Sequence, residues 1–128
     1  MTRSYLIAIA LLLPPCASIA DDYAPGEKLT LFHCGRCHVI TERNKYGGIG
    51  STPSFGALRT LEDWEDRFDS FYALAPHPAF TQVAGVTEDF PINRPSPIHP
   101  VELTLEEIDV ITEFTRTIPP KDLGGPVR

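Results

Sequence analysis

The chain has 128 residues, a formal net charge of −6 and 42% hydrophobic residues, with 13 prolines and 3 cysteines. That length makes one small domain. The acidic balance argues against nucleic acid as a partner, because phosphate binding needs a basic face.

Residues 1–20 read as a secretory signal peptide that is cleaved. Arg3 supplies a positive n-region, and Tyr5 to Leu13 is a continuous apolar run ended by Pro14-Pro15. Ser18-Ile19-Ala20 then offers small residues at the −3 and −1 positions of a cut before Asp21. The run falls well short of the roughly 20 residues that span a bilayer, so no stable membrane span is expected after cleavage. An uncleaved anchor and a lipoprotein through Cys16 are the alternatives, although Pro15 directly before Cys16 fits lipidation poorly. The mature domain would be residues 21–128, with ten Lys and Arg against seventeen Asp and Glu. It would work in an oxidising export compartment, the periplasm. A domain of this size buries a modest core, which a bound cofactor or staple would support. Cys16 leaves with the signal, so Cys34 and Cys37 remain alone.

In the mature chain the pattern predicts three helices joined by long Pro/Gly-rich connections, without internal repeats. The first helix starts near Pro25, carries Leu29, Phe32 and Leu31 toward a core, and runs into Cys34. Asn44 to Pro53, with Gly47, Gly48 and Gly50, reads as irregular. The second helix has Thr60 as candidate N-cap with Asp63 three residues on, and Leu61, Trp64, Phe68, Phe71, Tyr72 and Ala75 at helical spacing. Pro76 ends it. From Pro76 to Pro100 six prolines exclude regular helix; Gln82 to Val86 is a strand candidate. The third helix is capped by Thr104 with Glu107 completing a capping box, and Leu105, Ile108, Ile111, Phe114 and Ile118 form its apolar stripe. The expected fold class is therefore all-α.

The chemistry lies in Cys34-Gly35-Arg36-Cys37-His38. Three readings compete. A thiol–disulfide enzyme wants a low-pKa CxxC at a helix start in a βαβ context, whereas this pair ends a helix. A structural zinc site needs a fourth ligand beyond Cys34, Cys37 and His38, and no second paired motif exists. Covalent haem attachment fits best. Two thiols add across the two haem vinyl groups, and the histidine beside the second cysteine supplies the proximal iron nitrogen.

Helix, CxxCH, Gly/Pro loop, middle helix, Pro-rich loop and capped C-terminal helix together resemble the monohaem class I cytochrome c domain over roughly residues 24–119. "GIGSTPSFGAL" (48–58) and "IHPVELTLEEIDVITEF" (98–114) carry the softer part of the likeness. The resemblance implies one covalent haem c on Cys34 and Cys37, with His38 as proximal iron ligand. It also implies that the Pro53 carbonyl accepts a hydrogen bond from His38. The family's distal methionine has no counterpart, since Met1 is the only methionine. His99, followed by Pro100, stands in its place as the expected distal ligand. His77, between Pro76 and Pro78, is the rival, and an open sixth position is the third alternative. His33, tethered beside Cys34, is a poor candidate.

Two imidazoles on iron favour the ferric state more than a thioether does. The expected function is a one-electron carrier, not an enzyme, with a redox protein as partner that docks through a basic face. The alternative is a haem enzyme or gas-binding protein with an open or labile sixth site. Arg43, Lys45, Arg59 and Arg94 are candidate propionate partners, with solvated surface charge as the plainer reading.

Overall fold

The computed structural model describes residues 22–125; the expected signal peptide, residues 1–20, lies outside them. Four α-helices are present: α1 (Glu27–Cys34), α2 (Phe55–Leu58), α3 (Trp64–Asp69) and α4 (Leu105–Arg116). Two strands, β1 (Thr81–Val83) and β2 (Val101–Leu103), pair in parallel in the register Thr81↔Val101, Gln82↔Glu102, Val83↔Leu103. Three short 3-10 turns complete the order.

The expected all-α architecture is thus corrected to a mixed α/β one. The Pro-rich segment is irregular, but it carries the chain round so that its two ends lie side by side, as a parallel pair requires. Ala84 N donates to Leu103 O at 2.9 Å and Val101 N to Phe80 O at 2.8 Å, locking the ends of the pair. Val83 and Leu103 are 1% and 3% exposed, so burial as well as hydrogen bonding holds it. Three-residue strands carry too few residues to show a period-2 pattern.

Helix α4 forms as its caps dictate. Thr104 Oγ1 accepts from Glu107 N at 3.2 Å, and Glu107 Oε2 accepts from Thr104 N at 2.8 Å. Ile108, Ile111, Phe114 and, just past the helix, Ile118 are buried, whereas Leu105, the first residue of the helix, is exposed. Helix α3 is shorter than its apolar spacing suggested. The Thr60 hydroxyl donates to Ala57 O at 2.6 Å and so closes α2 rather than opening α3. After Asp69 the chain tightens into a 3-10 turn, Phe71–Ala73. Trp64 and Phe68 of α3 stack edge-on, 5.7 Å between ring centres, and Phe68 meets Phe55 of α2 at 4.9 Å. Burial of each such ring stabilises by about 1.5–3 kcal/mol.

Of the apolar residues of helix α1 expected inside, Leu29 and Leu31 pack against the core, but Phe32 does not. Phe32 is 80% exposed, whereas Thr30 and Glu27 are buried. The cause lies at Gly26. A Cβ there would stand 2.8 Å from Phe114 Cβ and 2.9 Å from Val110 O, so α1 crosses α4 at its smallest side chains. The φ of +81° at Gly26 is also a left-handed backbone that suits glycine. The buried Glu27 carboxylate is satisfied by Ala24 N (3.2 Å), Thr41 Oγ1 (2.9 Å) and Arg43 Nε (3.3 Å), as a buried charge must be.

Candidate functional site

Helix α1 delivers Cys34, and the motif then turns back on it. Cys37 N and His38 N both donate to Cys34 O, at 3.1 and 2.9 Å. The next segment is organised by one side chain that sequence reasoning missed, Asn44. Its Oδ1 accepts from Ile40 N (2.8 Å) and Thr41 N (3.1 Å), while its Nδ2 donates to His38 O (2.9 Å). Thr41-Glu42-Arg43-Asn44 begins a 3-10 turn with a capping box. That local pattern was the available signal. Replacing Asn44 by alanine strands those three backbone groups and should destabilise the protein by about 1–3 kcal/mol. Guanidinium unfolding of wild type and variant checks this, with an unchanged midpoint the contrary result.

The loop returns to place a second backbone group against His38. Phe55 N donates to Val39 O at 2.9 Å, and Ser54 Oγ caps α2 by accepting from Ala57 N at 3.2 Å. The Pro53 carbonyl, just before that cap, lies 2.7 Å from His38 Nδ1. A carbonyl only accepts, so Nδ1 carries the hydrogen and Nε2 is left with its lone pair. Burial lowers the His38 pKa; the Pro53 bond opposes this, and neighbouring His77 adds a further lowering. A neutral imidazole with free Nε2 is the ligand-competent form.

Cys34, Cys37 and His38 line one predominantly apolar cavity of about 860 Å³. Opposite walls come from α2, α3, the segment 71–81 and the residues entering β2, so His77 and His99 line it as well. His77 is half-buried and its Nδ1 donates to Leu74 O at 3.0 Å. Its ring centre lies 6.2 Å from that of His38, with the planes 9° from parallel. Phe71 (5.1 Å) and Phe80 (5.8 Å) flank it edge-on. His99 is exposed, and its Nδ1 donates to the adjacent Pro100 O at 3.1 Å. His33 lies at the same cavity, half-buried beside Phe32.

Both thiols are free. Burial, and secondarily Cys37, push the Cys34 thiol up to about 12; a disulfide catalyst needs the opposite shift. Among the described residues no group of three or more His, Cys, Asp or Glu converges as a bare metal ion would require. Three of the cations singled out earlier have partners in the chain. Arg43 pairs with Asp22 and Glu27, Lys45 with Glu42, and Arg59 donates to Ile118 O while its guanidinium covers Trp64 at 4.1 Å. Trp64 itself is core and cavity wall at once.

Compared with family models, with curated proteins and with solved structures, the chain has no match. Among the described residues no helix is long and apolar enough to cross a membrane.

Proposed function

We propose that the protein is an exported monohaem c-type cytochrome that carries single electrons between redox proteins in the periplasm. The observation that carries this reading is the cavity wall itself: two free thiols and an imidazole with its Nδ1 already held, side by side on an apolar space of about 860 Å³. Pockets that enclose a cofactor-sized group run to roughly 300–1,000 Å³.

A haem bound here would be held by Cys34 and Cys37, whose thiols would each add S–H across one vinyl group, sulfur bonding to one vinyl carbon and hydrogen to the other with no net oxidation or reduction. His38 would offer Nε2 to the iron, because Pro53 holds its Nδ1. Phe55, Trp64, Phe68, Phe71 and Phe80 of the cavity lining would shield the group from water. The group would supply a one-electron ferric/ferrous couple between a donor and an acceptor protein. A second histidine as iron ligand would favour ferric iron and lower the potential relative to methionine-ligated c-haems, within an axial-ligand range of about 0.8 V.

Expression of the full precursor in a host with haem-attachment machinery tests the reading. The expected product keeps its haem through acid–acetone extraction, is low-spin when oxidised, shows sharp α and β bands on reduction and does not bind carbon monoxide. A high-spin oxidised form that takes carbon monoxide on reduction would replace the carrier with a ligand-binding or catalytic haem protein. A haem-free product with intact Cys34 and Cys37 would end the haem reading.

A further inference from the structure

We propose that His77, rather than His99, is the iron ligand opposite His38, and that the two imidazole planes stand nearly parallel. This inference rests on the haem reading above. His38 and His77 ring centres are 6.2 Å apart and their planes differ by 9°. The rings form a stacked, near-parallel pair. Their separation also equals two nitrogen–metal bonds placed end to end: about 2 Å for each bond and about 1.1 Å from each nitrogen to its ring centre make about 6.2 Å.

The two rings are also anchored in the same way. His38 Nδ1 donates to Pro53 O at 2.7 Å and His77 Nδ1 to Leu74 O at 3.0 Å. Each bond leaves Nε2 as the free nitrogen and fixes the ring about its own axis. Phe71 and Phe80 brace the His77 ring, and Pro76 and Pro78 on either side restrict its backbone. The site on that side is therefore built in advance, which lowers the entropy lost on ligation. His99 has none of this. It is exposed, its ring is tied only to the neighbouring Pro100 carbonyl, and no close ring pairing joins it to His38 among the described residues.

Electron paramagnetic resonance of the oxidised haem-loaded protein, with the variants His77→Ala, His99→Ala and His77→Met, decides the matter. Near-parallel imidazoles predict a rhombic low-spin spectrum with three resolved g values. His77→Ala should turn the oxidised form high-spin and raise carbon monoxide binding by the reduced form from none to stoichiometric. His99→Ala should remain low-spin and closed to carbon monoxide. His77→Met should stay six-coordinate at a raised potential, and it carries the test if His77→Ala does not accumulate. A single large-g signal, characteristic of crossed planes, would overturn the proposal. So would a His99→Ala variant that opens the iron, a His77→Ala variant that stays low-spin, or a His77→Met variant with the wild-type potential. A wild-type chain that loads no haem would instead remove the reading on which the proposal rests.

Discussion

If the protein holds haem as proposed, a chain carrying both Cys34→Ser and Cys37→Ser will retain none after acid–acetone extraction, whereas the wild type will retain all of it. Each single variant will keep one thioether and will show a reduced-state α band displaced from that of the wild type. The argument is chemical. Serine oxygen does not add to an unactivated vinyl group as a thiol does, and Cys34 and Cys37 are the only cysteines among the described residues. The double variant will also melt well below the wild type. Its cavity of about 860 Å³ then depends on axial nitrogen bonds alone to keep a large apolar group in place. Haem retained through extraction by the double variant would show that attachment runs through other residues. Scanning calorimetry beside a haem stain on a denaturing gel reads both consequences.

The second large effect is expected where α1 crosses α4, far from any ligand. Phe114→Ala should cost about 3–5 kcal/mol, against a total stability of about 5–15 kcal/mol for a domain of ordinary stability. Gly26→Ala attacks the same crossing from the other side. Its left-handed backbone costs about 1–2 kcal/mol once a Cβ is present. The added atom would also press within 2.8 Å of Phe114 Cβ, which cannot swing away as a flexible side-chain end would. Guanidinium unfolding followed by circular dichroism measures each loss. Alanine at position 114 keeps the Cβ that the new methyl would meet, so Phe114→Ala does not relieve the strain of Gly26→Ala, and the double variant should be less stable than either single variant. Wild-type stability in Gly26→Ala would mean that the helices do not cross so closely. Since α1 carries Cys34 at its last turn, loosening this crossing also loosens the proposed attachment point.

What could be read from sequence was local chemistry. Cys34, Cys37 and His38 stand within five residues, so their proximity follows from the chain itself. The box at Thr104 and Glu107 is likewise settled within one helical turn, and the structure contains both of its hydrogen bonds. Pro53 was reached only through a resemblance, yet its carbonyl does meet His38, across fifteen residues.

Tertiary structure decided the rest, because those features depend on segments distant in sequence meeting in space. Apolar spacing put Phe32 in the core, but the close approach at Gly26 set the rotation of α1 and left Phe32 outside. Helical spacing ran from Leu61 to Ala75 without a break, yet Thr60 was already engaged in closing α2 and Asp69 ended α3. The parallel pairing of Thr81–Val83 with Val101–Leu103 joins stretches about twenty residues apart, each too short to show a period, and so overturned the all-α expectation. The choice between His77 and His99 has the same origin. Both are flanked by proline in an irregular segment, and the family resemblance favoured His99, which stands where the family has its methionine. Which imidazole faces His38 is a matter of how that segment folds over the cavity, and only the packed chain places the His77 ring 6.2 Å away and parallel.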